Sequence, residues 1–299
     1  MEAFKFEKLG VIPYERKPED LRVGGAEPAT PQPPYDDEAF FDSEPILMQG
    51  FSPECGGYSL AFLLAYLLNL TDKLNGTFAY AFEKTVDGVP NEDGTTIQAI
   101  GTAAKNSGTC LEDLFPDDSS NPSGAPTTPF SKATPAAIQD AALRAGWIPL
   151  FLTDLSWNGI QAAIVKYKAV IIEAEVGDEW YTAPDGTTSW AEADVLPIRP
   201  PQEVIDAHFF VAGGKFDAQD IWFANSWSIK WGHNGFGYFQ ENYIPFVKNA
   251  IVLYKAPPSI QTVQNHPTLS QPEKLSLIQQ IIDDIAKEVG LISQEIGSL

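Results

Sequence analysis

A run that is apolar on nearly every side fixes the centre of this fold. From Cys55 to Leu68 the apolar residues Tyr58, Leu60, Ala61, Phe62, Leu64, Ala65 and Leu68 fall all around a helical wheel. A helix without a polar face has to be wrapped by other elements. The apolar stretch from Leu60 to Leu68 is far too short to span a bilayer. Ser52-Pro53-Glu54 in front of it reads as a helix start. The hydroxyl can cap, proline suits the first helical position, and a carboxylate suits the positive end of the dipole. The sequence thus predicts a buried central helix with Cys55 in its first turn, ending near Asn69-Leu70-Thr71.

Further helices are predicted from Thr95 to about Asn106, closed by Ser107-Gly108, and from Pro135 to Arg144, stopped by Gly146. A loop rich in Pro, Ser, Gly and Asp spans roughly 116–134. The character then turns to β. Strands are predicted at Trp147–Leu152, Ala169–Val176, His208–Ala212, Asp220–Ala224 and Ile251–Tyr254, with a short helix from Asn158 to Tyr167. A helical half followed by a β-rich half predicts an α+β fold of two lobes, 45–146 and 147–256, with a cleft between them. Residues 1–44 read as an extended, Pro-rich strap, and 257–272 as a polar linker. In 273–299, Leu275, Ile278, Ile282, Ile285, Val289, Ile292, Ile296 and Leu299 alternate in steps of three and four. That is a heptad seam, interrupted by Gly290 and Gly297, and suited to self-association or docking onto an assembly partner.

The formal net charge of −21 makes nucleic acid and anionic membranes poor partners. Two cysteines, Cys55 and Cys110, are too few for a secreted disulfide framework. The first residues carry no apolar run of signal-peptide type. The expectation is a soluble, cytoplasmic protein made in a reducing compartment, with no metal site and no cofactor.

The chemistry-bearing residues are widely separated. Cys55 is the candidate nucleophile, because aligned N–H groups in a first helical turn favour the thiolate. Glu54 beside it opposes that charge, so a neighbouring cation, a histidinium, is expected to do much of the activation. His208 leads one strand, and Asn225 ends another that plausibly pairs with it. A side-chain amide can hold an imidazole in one tautomer, as a carboxylate does in a serine triad. Trp227 stands two residues on, where it can shield that bond from water. Gln49, six residues before Cys55, can offer its amide to an oxyanion together with the Cys55 N–H. Cys110, His233 and His266 read as structural or loop residues.

These segments resemble the papain-like cysteine proteases. Gln49–Phe62 (QGFSPECGGYSLAF) is similar to the family's nucleophile segment, and Asn225–Tyr238 (NSWSIKWGHNGFGY) closely resembles its N-S-W-G-x-x-W-G block. Asp93-Gly94-Thr95 is similar to the segment that binds substrate backbone. Gly108–Pro116 looks like the G-x-C-x-E-x-x-x-P segment of bacterial and viral members. The resemblance implies a papain-like two-lobe fold and thioester chemistry at Cys55, His208, Asn225 and Gln49. It also implies a peptide or protein substrate held at Asp93, Gly94 and Trp227, no cofactor, and a cytoplasmic or virion-packaged member. Pro53-Glu54 and Gly56 depart from the family's Gly-Ser and Trp around the nucleophile, and Ser52 replaces a disulfide cysteine. No helical inhibitory pro-region is evident. A thiol peptidase is the leading expectation. A catalytically impaired scaffold component of a larger assembly, or a thiol amidase or transferase, are the alternatives.

Overall fold

The computed structural model describes residues 10–24, 30–42, 46–50, 52–117, 128–181, 197–255, 270–272 and 275–276. The chain divides into two compact units, Met1–Tyr254 and Lys255–Leu299. The first runs β1 (Arg22–Val23), β2 (Tyr35–Asp36), α1 (Glu38–Asp42), α2 (Cys55–Leu67), α3 (Gly76–Glu83), α4 (Ile97–Asn106), α5 (Pro135–Ala142), β3 (Ile148–Leu152), α6 (Trp157–Tyr167), β4 (Ala169–Val176), β5 (Asp206–Phe216), β6 (Ile221–Ala224), β7 (Phe236–Phe239) and β8 (Val247–Tyr254). In the second unit, almost all of the 275–299 seam lies outside the described residues.

Helix α2 is the predicted central helix, with every residue from Cys55 to Tyr66 buried. It packs against α3 and α4 on one side and against β5 on the other. Its start differs from the expected one. Glu54, not Ser52, occupies the capping position, and its side chain makes no capping bond there. The Ser52 hydroxyl donates instead to the Gln49 carbonyl at 2.7 Å, closing a turn before the helix begins. Helices α4 and α5 begin at Thr96 and Thr134, whose hydroxyls accept from Ala99 and Ala137 N–H.

The strands form one eight-stranded sheet in the order β1-β3-β8-β4-β5-β6-β7, with β2 also pairing β5. Strand β5 runs antiparallel to β4, with His208 opposite Ala174, and antiparallel to β6, with Val211 opposite Ala224. Side chains alternate between the faces along each strand. Phe209 and Val211 of β5 and Ile171 of β4 therefore join the core around α2. Phe210, Ala212, Val170 and Ile172 join a second core with Trp157, Ile160 and Ile164 of α6. A third, smaller cluster sets Cys110 beside Phe78, Phe115, Ala137 and Ala141.

Helix α3 and strand β7 were not expected from the sequence. Helix α3 starts on Gly76, a weak helix former, but Asn75 caps it by accepting from the Phe78 N–H at 2.7 Å. Strand β7 follows the glycine-rich turn at 232–235 and pairs with β6. Among the described residues, no helix is long and apolar enough to cross a membrane.

Candidate active site

Antiparallel pairing of β5 and β6 brings His208 and Asn225 together. His208 Nε2 lies 2.8 Å from Asn225 Oδ1. An amide oxygen only accepts, so the bond fixes the proton on Nε2 and leaves Nδ1 with a free lone pair. Nδ1 is buried and meets no hydrogen-bond partner among the described residues. The ring is walled by aromatics: Trp227 at 4.9 Å between centroids, Trp180 edge-on at 5.6 Å and Phe210 at 6.5 Å. Tyr181 stacks on Trp227 at 5.2 Å. Trp227 thus lies against the imidazole. Trp180 and Tyr181 complete the cage from a 3₁₀ turn over Asp178–Trp180 that sequence reasoning missed. The adjacent Trp-Tyr pair was its only trace in the sequence.

Cys55 is wholly buried at the start of α2. The backbone amides of Phe209 and Gly56 act on its sulfur and favour the thiolate, and Phe209 is the residue after His208. Burial outweighs those amides and, with the nearby Asp206 and Glu83 charges, pushes the thiol well above its usual range. Burial also lowers the His208 pKa to about 4, against a smaller upward pull from the Asn225 bond. Burial thus opposes charge on both groups, because a charged ring in this aromatic cage would lose its hydration.

Gln49 is fully buried between the two sides of the site. Its amide nitrogen donates to the Ser52 carbonyl at 2.9 Å, and its oxygen accepts from the Ser226 hydroxyl. The backbone follows the same path: Gln49 N–H donates to Ser226 C=O at 2.9 Å, and Met48 bridges Trp227. The Gln49 segment is thereby stitched to the segment that follows Asn225.

Gly94 has a φ of +86°. Its N–H donates to the Tyr80 hydroxyl at 2.9 Å, and its carbonyl accepts from Lys84 Nζ at 2.8 Å. Both Gly94 polar groups are thus taken up within the protein, and the neighbouring backbone edge belongs to Thr95. That edge is occupied by the N-terminal strap. Thr95 N–H donates to Gly10 C=O at 2.9 Å, and Ile12 N–H donates to Thr95 C=O at 2.7 Å, in a parallel bridge. Gly10, with φ of +93°, packs so tightly that an added Cβ would enter the Pro53 carbonyl. Asp93 lies in the bend before Gly94 and is partly exposed.

The departures at Glu54 and Gly56 also find their neighbours. A Cβ on Gly56 would collide with the Thr95 methyl and approach Glu83 Oε2 to 2.9 Å. The wholly buried Glu83 and Thr95 thus fill the space beside this position, and Glu83 was not singled out from the sequence. Cys110 is buried, and burial raises its pKa to about 12. Among the described residues, no group of three or more His, Cys, Asp or Glu is arranged to hold a metal.

The fold is that of the papain-like cysteine proteases. It matches xylellain, a cysteine protease from Xylella fastidiosa, with a TM-score of 0.63 at 17% identity, over 84% of this chain and 98% of that one. It matches the Carica candamarcensis cysteine protease CMS1MS2, solved with E-64, with a TM-score of 0.54 at 14% identity, over 75% and 99%. The cysteine protease and lectin-like domains of Cwp84 from Clostridium difficile match with a TM-score of 0.56 at 14% identity, over 84% of this chain and 57% of that one. No family model and no curated protein matches the sequence.

Proposed function

We propose that the chain is a thiol peptidase that hydrolyses peptide bonds through a thioester on Cys55. The observation that carries this is the His208–Asn225 bond, which leaves the Nδ1 lone pair without a hydrogen-bond partner among the described residues, buried among aromatic rings, on the residue preceding the amide that meets the Cys55 sulfur. Thiol and imidazole are both neutral at rest, so the proton moves as attack occurs. Cys55 Sγ bonds to the scissile carbonyl carbon while His208 Nδ1 takes the thiol proton. Asn225 accepts from the Nε2–H throughout and keeps the resulting imidazolium oriented. The tetrahedral oxyanion is held by the Cys55 N–H and the remaining N–H of the Gln49 amide. The C–N bond then breaks, His208 returns its proton to the leaving nitrogen, and a thioester remains. Water adds to the thioester, giving its proton to His208. The C–S bond breaks, the acid is released and the thiol is restored.

Trp227 shields the Asn225–His208 bond in this scheme. The substrate backbone lies along the Asp93-Gly94-Thr95 edge once the strap is displaced. The same machinery serves a non-peptide amidase or transferase, so a peptide-library screen of wild type beside Cys55→Ala is the test. Peptide cleavage by wild type alone supports the assignment. Turnover of a non-peptide amide with no peptide cleavage replaces it with an amidase. Self-association through residues 275–299 is proposed separately, and mass in solution with and without residues 257–299 tests it. An unchanged monomer removes it.

A further inference from the structure

Asn225 fixes one atom of the His208 ring, Nε2, at 2.8 Å. One hydrogen bond leaves the ring free to tilt about it, and the tilt decides where Nδ1 aims. The plane is set by the rings packed against the imidazole. Trp227 lies 4.9 Å away with its plane 39° from that of His208, and Trp180 lies 5.6 Å away at 76°. Trp180 is the hub of this packing, buried to 1% exposure. Its indole also meets Phe223 at 5.4 Å, Trp227 at 5.9 Å and Trp231 at 5.9 Å. Yet it stands on no strand and ends the short 3₁₀ turn over Asp178–Trp180. Inside that turn its N–H donates to the Gly177 carbonyl at 3.1 Å. Two bonds to distant residues hold it in addition. Trp231 Nε1 donates to the Trp180 carbonyl at 3.2 Å, and Trp180 Nε1 donates to the Tyr243 hydroxyl at 2.8 Å. The second of these holds the indole itself.

We propose that Tyr243 is a positioning residue for the base: through the Trp180 indole it sets the plane of the His208 imidazole and the aim of Nδ1.

Tyr243 is wholly buried in the 3₁₀ turn Glu241–Phe246. An indole N–H only donates and a main-chain carbonyl only accepts. The Tyr243 hydroxyl stands between one of each. It accepts from Trp180 Nε1 and donates to the Glu175 carbonyl at 2.6 Å. A hydroxyl does both at once, so it joins two groups that cannot bond each other. Burial holds the phenol well above its usual range, against a smaller pull from the Trp180 bond, so the hydroxyl keeps the proton it donates. Glu175 lies on β4 opposite Ala207 of β5, beside the Ala174–His208 pair. The bonds therefore run from the strand that pairs with His208's own, through Tyr243, to the indole that meets the imidazole. Tyr243→Phe keeps the ring but takes the acceptor from Trp180 Nε1 and this donor from the Glu175 carbonyl. A buried polar group left without a partner costs about 1–3 kcal/mol, enough to turn the indole toward another one. Tyr243 acts through Trp180 and not on the reacting atoms. Its role rests on the reading of His208 as the base only in its kinetic consequence.

The test compares Tyr243→Phe with wild type in the full chain, at a temperature where both are folded, by two readouts. The first is the NMR signal of the His208 Nε2–H in protein carrying ¹⁵N-labelled histidine, which does not depend on any activity. Tyr243→Phe shifts and broadens that signal, because neighbouring rings have turned against the imidazole. The second is steady-state cleavage of a peptide. Tyr243→Phe lowers kcat by roughly tenfold or more and leaves KM within about twofold, the pattern of a misaimed base. Loss of stability alone, with the ring signal and kcat of wild type, makes Tyr243 a purely structural residue and overturns the role. A rise in KM at unchanged kcat puts the aromatic wall in substrate binding and also overturns it. Should Tyr243→Phe fail to fold, Trp180→Phe removes the same indole donor and leaves the bond from Tyr243 to Glu175 in place. An unchanged ring signal in that variant overturns the role as well. Absence of peptide cleavage by wild type sinks the peptidase reading and leaves the ring signal to decide the positioning.

Discussion

The two sides of this site are built differently. On the sheet side, His208 stands on β5 and Asn225 just past the end of its neighbour β6, and the pairing of the two strands brings their side chains within 2.8 Å of each other. On the helix side, Cys55 stands where separate segments converge: the Gln49 turn, the Glu83 end of α3, the Thr95 edge and the Gly10 strap. One side is positioned by regular secondary structure and lined by aromatics. The other is positioned by close contacts that only small residues permit. The sheet side should therefore respond to substitution chemically, and the helix side sterically.

The largest expected effect is on the sheet side. His208→Ala removes the base and lowers kcat/KM by roughly 10²–10⁴-fold at temperatures where the variant is still folded, read by steady-state kinetics beside thermal unfolding. A large loss of stability without a specific loss of rate would break the contrast.

The same residue predicts a pH dependence. The folded His208 pKa of about 4 lies below its ordinary value of 6.5, so the unfolded chain takes up the proton first. Its contribution to stability is full above about 6.5 and is lost as pH falls toward about 4, with an effect on the order of 2–3 kcal/mol. Denaturant midpoints of wild type and His208→Gln across that window check it. Parallel curves for the two proteins would contradict a buried neutral ring.

On the helix side, Gly56→Ala gains roughly 1 kcal/mol of helix propensity. It forces a Cβ into the Thr95 methyl and toward Glu83, and such overpacking costs about 1–3 kcal/mol. Net destabilisation is expected, read as a lower urea midpoint with an unchanged slope. Stabilisation would show that the crowding is relieved by movement of Glu83.

The smallest effect concerns the strap. Removing residues 1–12 frees the Thr95 backbone edge now bonded to Gly10 and Ile12. KM for a peptide long enough to pair with that edge should fall by roughly an order of magnitude, about 1.4 kcal/mol. An unchanged KM would place substrate elsewhere.

The same contrast explains what could be read in the chain alone. The α+β division, α2, and the His208–Asn225 pair follow from apolar periodicity and from strand patterns that stay legible over several residues. The crowding at Gly56 depends on Glu83 and Thr95, which lie 27 and 39 positions beyond it and meet it only in three dimensions. The Ser52 cap failed because a tertiary tie, Gln49 to Ser52 and Ser226, took the hydroxyl for a preceding turn. The expected extended strap over 1–44 contains helix α1 at Glu38–Asp42, and the seat of Gly10 and Ile12 on Thr95 was not legible, because backbone pairing leaves no mark in side-chain chemistry.

The most direct test of the account is site-resolved labelling with an epoxysuccinyl probe, read by mass spectrometry on Cys55 and Cys110. The account predicts modification of Cys55 alone in the wild type, and its suppression in His208→Ala. Equal labelling of both cysteines, unaffected by His208→Ala, would contradict it.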